Sequence, residues 1–249
     1  MANKYGVGTK HITNEGYEVE IIEKIDYKKR IIKFKNGYEV EVPICSIATR
    51  RIKNPYHPSV YGVGCFGVGD YNARIREKIT PEYTIWIGML ERCYNKYKQE
   101  KYISYVGTIV CYEWHNFQNF AKWYNDNYPR IEGIKFQLDK DLLQDGIENK
   151  VYSSSTCVFL PKRVNLFLAN KQSSNTSGFV GVHLDKVNRK WAAHVSLFGE
   201  GKIKHLGRFP TPESAHEAYQ SARTIESEKV KSYLRSLNYL SEEVIQLVK

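Results

Sequence analysis

The segment from Gly178 to Arg223 constrains this chain most, because four short patterns in succession fit only a small sheet backed by one helix. The pieces are SGFVGVHLD, RKWAAHVSLF, KIKHLGRF and TPESAHEAYQSARTIE. Polar and glycine-containing breaks, Val187 to Arg189 and Gly199 to Gly201, separate the first three and have the composition of hairpin connections. In the second piece a two-residue period puts Trp191, Ala193, Val195 and Leu197 on one face and Lys190, Ala192, His194 and Ser196 on the other. The fourth opens Thr211-Pro212-Glu213, a hydroxyl N-cap followed by proline at the first helical position. Ala215, Ala218, Tyr219 and Ala222 then form one stripe, whose small residues let a helix lie close to a sheet.

In order and spacing, GVH, KWAAHV and HLGRFPTPESAHEAYQSA resemble the GVR, KWAAEI, WLGTF and AEEAAxAYD pattern of the APETALA, or ethylene-response-factor, DNA-binding domain. The resemblance covers about fifty residues. It implies a three-stranded sheet whose outward side chains read double-stranded DNA in the major groove. Carried over by position, it points to His183, Lys190, His194, Ser196, Lys204 and His205 as DNA contacts. Of the family's contact positions compared, only Lys190 is unchanged. Histidines stand at His183, His194 and His205, and a histidine cannot reproduce the bidentate hold of arginine on guanine.

The whole-chain balance agrees with a polyanionic partner. The 249 residues carry a net charge of +10, spread along the chain and not confined to a tail. With 42% hydrophobic residues and 19 tyrosines there is ample material for folded cores. No apolar run reaches the roughly 18 residues a membrane span needs, and MANKYGVGTK has no apolar signal core, so neither membrane insertion nor secretion is expected. Five scattered cysteines without a C-x-x-C pair read as reduced thiols, not as a disulfide frame or zinc ribbon.

Toward the N-terminus, GYEVEIIEKID and KKRIIKFKNGYEVEVP alternate apolar and charged residues around a Lys28-Lys29 turn and an Asn36-Gly37 hairpin signal. Residues 1–60 are therefore expected to form a small SH3-like β barrel, open to a protein partner or a second nucleic-acid contact. Residues 61–80 read as a glycine-rich connector. YGVGCFGVG has G-x-G spacing, but Asp70 follows where a phosphate-binding loop needs lysine.

Between them, YTIWIGMLERCYN predicts a helix with Ile85, Met89, Leu90 and Cys93 inward, and HNFQNFAKWYND a second with Phe117, Phe120, Ala121 and Tyr124 inward. The series W-x-x-M-L-x-R-C-Y-N, Y-x-G-x-x-V-C-x-E-W-x-N-F-x-N-F, L-D-K-D and Y-S-x-x-T-C-V-F, closed by an asparagine, resembles the HNH-type endonucleases of phages and mobile elements. That resemblance implies a ββα-metal segment, with one divalent ion, Mg or Mn, on the scissile phosphate and a histidine base activating water. By motif position the metal ligands are Asp139 and Asn165, with Asp141 supplementary. Lys140 occupies the place of the histidine base, and Thr156 that of the middle asparagine.

The expected fold class is thus α+β and multidomain: a β barrel over 1–60, a connector over 61–80, an HNH-like domain over 81–170 and a linker over 171–177. An APETALA-type sheet and helix over 178–227 and a terminal helix over 228–249 complete it. Two functions follow from the resemblances. One is a sequence-directed DNA-binding protein of the homing-endonuclease type that nicks or cuts DNA, with Asp139, Lys140 and Asn165 catalytic. The other is a DNA-binding protein on a nuclease scaffold without activity, acting in regulation or host takeover. Either would work in the cytoplasm of a bacterial host, without a small-molecule substrate.

Overall fold

Alternating residues near the N-terminus build an open meander. In the computed structural model, which describes residues 4–169 and 177–249, β1 (Lys10–Ile12), β2 (Glu18–Lys24), β3 (Lys29–Phe34) and β4 (Glu39–Pro43) pair antiparallel in sequence order. The expected linker over 171–177 lies outside these residues except for Ser177. Both predicted turns form. Asp26 accepts backbone N–H bonds from Lys28 and Lys29 at 2.6 and 2.7 Å, and Gly37 takes φ 87° at the β3–β4 corner. Val19, Ile21, Ile32, Phe34 and Val42 face inward.

The barrel expected over 1–60 does not close. Among the described residues the sheet order runs β1-β2-β3-β4 with β1 and β4 left as edges. Closure needs enough strands, staggered and tilted, to bring the edges together, and four strands with a three-residue β1 fall short. The apolar face is covered instead by Ile47 of α1 (Ile44–Ala48) and by Ile52.

The chain divides into two compact units. The first holds the residues up to Ile103 with Cys111–Lys122, and the second holds Ser104–Val110 with Trp123–Lys249. In the first, the short hairpin β5 (Arg74–Ile75) and β6 (Lys78–Ile79) precedes α2 (Pro81–Tyr94) and α3 (Lys96–Lys101). Trp86, Met89, Leu90 and Cys93 of α2 are buried; Trp86 takes the inward place predicted for Ile85, and its indole N–H donates to the Trp114 carbonyl at 2.7 Å. In α4 (Phe117–Asn127), Phe117, Phe120, Ala121 and Tyr124 are all buried, as the spacing predicts.

Close packing accounts for the glycine-rich stretch. A Cβ on Gly64 would lie 2.5 Å from Leu90 Cδ1 and 3.0 Å from the Trp86 ring. The Gln118 side chain clamps the loop by donating to the Phe66 and Tyr71 carbonyls and accepting from the Tyr71 N–H.

In the second unit, β7 (Ile109–Val110) pairs parallel with β9 (Val151–Tyr152), and β8 (Phe136–Asp139) pairs antiparallel with β10 (Val158–Pro161). The helix α5 (Lys162–Leu168) follows β10 directly. A three-stranded antiparallel sheet comes next, β11 (Val182–Asp185), β12 (Lys190–Ser196) and β13 (Ile203–Phe209), then α6 (Pro212–Leu237) and α7 (Glu242–Gln246).

The separate helix expected over 228–249 is instead the second half of α6 plus the short α7. No glycine or proline interrupts the chain between Glu213 and Leu237, so the helix capped by Thr211 simply continues. It ends where Asn238 enters the left-handed region at φ 49°, and Ser241 caps α7. The first half of α6 packs on the sheet through Ala215. Its second half buries Val230 and Leu234 against Leu142, Leu160, Val164, Ile245 and Val248.

Truncating Leu234 leaves a void that this side of α6 cannot refill. Leu234→Ala should therefore lower the unfolding free energy by about 2 to 5 kcal/mol in a urea titration. A change below about 0.5 kcal/mol, the size typical of surface positions, would remove Leu234 from the core.

Candidate nucleic-acid interface

The register of the last sheet decides which side chains share its outer face. Val182 pairs with Ala193 and His183 with Ala192 on one side of β12; Ala192 pairs with Arg208, Ala193 with Gly207 and His194 with His205 on the other. Val182, Ala193 and Val195 are buried on the α6 side with Ala215, flanked by Phe179, Trp191, Leu206 and Phe209. Between Ala193 and His194 the register shifts, so Leu206 is an extra residue in β13, a β-bulge.

The outer face carries one histidine from each strand. The His183 and His194 rings stack with centroids 4.9 Å apart and planes 19° from parallel, and His194 and His205 lie 4.7 Å apart. His205 Nδ1 and His194 Nε2 share a hydrogen bond of 3.1 Å. Lys190 is exposed at the end of the same face, with Ser196 at the other end of β12. Arg208 Nε donates to Asp185 Oδ2 at 2.6 Å, and this guanidinium holds the Asp185 carboxyl far below the usual range. Burial, then the charges on His183, His205 and Arg208, hold the His194 imidazole below its ordinary value.

Five of the six residues predicted to meet DNA are thus on one surface: His183, Lys190, His194, Ser196 and His205. Lys204 is not with them. It pairs with the buried Val195, which places it on the α6 side, where its charge acts on Glu226. Arg208 joins the outer face and was missed by sequence reading. Strict alternation along β13 puts Lys204 and Arg208 together opposite His205, and the bulge at Leu206 reverses that assignment for the residues beyond it.

The order β8, β10, α5 is a ββα arrangement, and each of its predicted residues has a local partner. Asp139 Oδ1 accepts from the backbone N–H of Asp141 at 2.9 Å and of Leu142 at 2.7 Å, so it closes the turn after β8. Burial pushes its carboxyl above the usual range, with the Leu142 hydrogen bond acting in the opposite sense. Asn165 on α5 donates to Gln137 Oε1 at 3.0 Å. Thr156 Oγ1 donates to the Val151 carbonyl at 2.6 Å, a bond that shapes the β9 end of the loop.

Lys140 is almost fully buried. Its ammonium donates to Asp141 Oδ1 at 2.7 Å, and lies 5.3 Å from the Tyr105 ring centroid and 6.0 Å from that of Tyr152. Lys150 reaches the same carboxylate oxygen at 2.5 Å. Burial works to raise the Asp141 carboxyl, but hydrogen bonds from Lys140 and Lys150 outweigh it and leave the group below its ordinary value. Gln144 ties the loop together, donating to the Lys140 and Val151 carbonyls and accepting from the Val151 N–H. No sequence pattern singled out the Tyr105, Tyr152 and Gln144 surroundings.

Among the described residues no three His, Cys, Asp or Glu side chains are placed to hold a metal. A small cavity of about 110 Å³ beside Asp139, Asp141 and Asp145 also admits the cationic side chains of Arg223 and Lys249, the latter 2.6 Å from Asp145.

If Asp139 serves the turn as an acceptor, asparagine should replace it. A carboxyl with a raised folded-state pKa contributes stability that is full below its unfolded value and lost as pH rises through the folded value. Asp139→Asn is neutral throughout, so its melting temperature at pH 7 should equal or exceed that of the wild type. Its advantage should shrink as pH falls toward the unfolded carboxylate value. Asp139→Leu leaves two N–H groups unmet and should cost about 1 to 3 kcal/mol. Equal damage from both substitutions would show that the charge, not the acceptor, is what the fold needs.

Comparison of the chain with known protein families, with curated proteins and with solved structures finds no match.

Proposed function

We propose that this chain is a double-stranded DNA-binding protein that selects its site with the outer face of the β11–β12–β13 sheet and does not cut it. The observation that carries the reading is that face: three histidine rings, Lys190 and Arg208 on one exposed surface, with the opposite surface taken up by α6. Strands about 4.8 Å apart make a three-stranded ribbon roughly 10 Å across, which suits a major groove about 12 Å wide. Lys190 supplies a phosphate contact, and imidazole nitrogens, each able to donate or accept, supply contacts to base edges. The net charge of +10 favours the same partner.

The nuclease reading needs a base, and an ammonium already donating to Asp141 has no lone pair with which to take a proton from water. The β8–β10–α5 segment then acts as scaffold. No described helix is long and apolar enough to cross a membrane. The compartment this reading implies is the one that holds the DNA, the cytoplasm of a bacterial host if the resemblance to phage nucleases holds.

Fluorescence anisotropy with labelled duplexes tests the binding half. Affinity should fall steeply between 50 and 200 mM salt, by a factor on the order of 0.9 in log K per log salt for each phosphate met. Lys190→Ala should weaken all duplexes alike and lower that slope by about one. His205→Ala should instead change the ranking among sequences. A dissociation constant indifferent to salt, or variants that bind as the wild type does, would reject the sheet as a DNA surface. Supercoiled plasmid incubated with the protein and Mg or Mn should stay uncut. Cutting that disappears in Asp139→Ala would restore the endonuclease reading.

A further inference from the structure

The three imidazoles form a single electrostatic object. His194 lies between its neighbours, stacked on His183 and hydrogen-bonded to His205. A bond between two imidazole nitrogens holds one proton between them; two protonated rings would set N–H against N–H and break it. Rings with centroids less than 5 Å apart also repel each other when both are charged.

Little else on this face offsets that repulsion. The Asp185 carboxylate is engaged by Arg208 and by Asn188, and Lys190 adds positive charge. Lys186 and Arg189 flank the row at the β11–β12 turn, and Glu200 and Lys202 flank it at the β12–β13 turn. Behind the sheet, the α6 side offers His216 stacked on Phe179, Tyr219 against Gly181, and Glu226 bound to the Phe198 N–H and Lys229. The hydrogen bond between His205 and His194 therefore holds one proton where two cationic rings would need two. A duplex brings roughly one phosphate charge per 1.7 Å of axis and supplies what is missing.

We infer that duplex binding by this sheet, a step that rests on the function proposed above, is coupled to proton uptake by the His183–His194–His205 row. Affinity is then set by pH near neutrality as well as by base sequence. Each proton taken up on binding makes the dissociation constant fall by at most about tenfold per pH unit. The row has room for at least one such proton.

Binding of the full-length protein to one duplex at fixed ionic strength, from pH 8 to pH 6, tests this. The wild type should tighten about three- to tenfold or more. A triple variant, His183→Gln, His194→Gln and His205→Gln, should lose this dependence on pH while still responding to salt; circular dichroism on the same samples establishes that it is folded. His216→Gln, on the far side of the sheet, should keep the wild-type slope, which separates the row from the other histidines. Proton NMR of the ring Cε1–H signals should show the row's midpoints rising when duplex is added. Salt-sensitive binding that is flat in pH overturns the coupling and leaves the DNA reading standing. A pH slope surviving in the triple variant, or ring midpoints unmoved by duplex, also overturns it. Absence of binding at every pH and salt overturns both.

Discussion

Burial of the two halves of α6 is the interaction on which the second unit depends. At its start the helix meets a sheet and needs small residues, and Ala215 is fully buried there, while Gly181 at φ 75° leaves room for the Tyr219 ring. A Cβ at Gly181 would come within 2.2 Å of that ring. Three turns and more further on, the same helix meets β10 and α5 and needs bulk, which Val230 and Leu234 provide. Between them sits Glu226, almost wholly buried, whose carboxylate receives the Phe198 N–H and Lys229. A buried acid is tolerated because both its partners are present, and its hydrogen bonds keep its carboxyl below the usual range despite burial.

Periodicity made the long elements legible. The inward residues of α4 follow from spacing alone, and those of α2 are off by one because Trp86, the larger side chain, takes the central position over Ile85. The Asn36-Gly37 corner was legible because turn chemistry is local, and the turn expected at Lys28-Lys29 falls just before that pair, where Asp26 accepts both their N–H groups. What could not be read was non-local. Whether β1 and β4 would meet depends on the geometry of a whole sheet, and the partner Asn165 finds depends on how α5 lies against β8.

The ββα segment shows the limit most plainly. Residue order along a motif fixes neighbours in sequence, yet Asp139 spends an oxygen on the turn and Asn165 meets Gln137. The Lys140 replacement was visible as a change of residue type. Its surroundings were not, because Tyr105 lies on one distant stretch of chain and Lys150 and Tyr152 on another. Two phenol rings and a carboxylate fix where the Lys140 side chain lies.

The bulge at Leu206 has a consequence for how such a surface can vary. Because side chains alternate with a period of two, one extra residue exchanges inside and outside for every position beyond it. Here it brings Arg208 to the histidine side and puts Gly207 opposite the buried Ala193. Losing or gaining a single residue at that point would swap the charge pattern of half a strand with no substitution at all, so chain length, as much as residue identity, is a determinant of what this face presents.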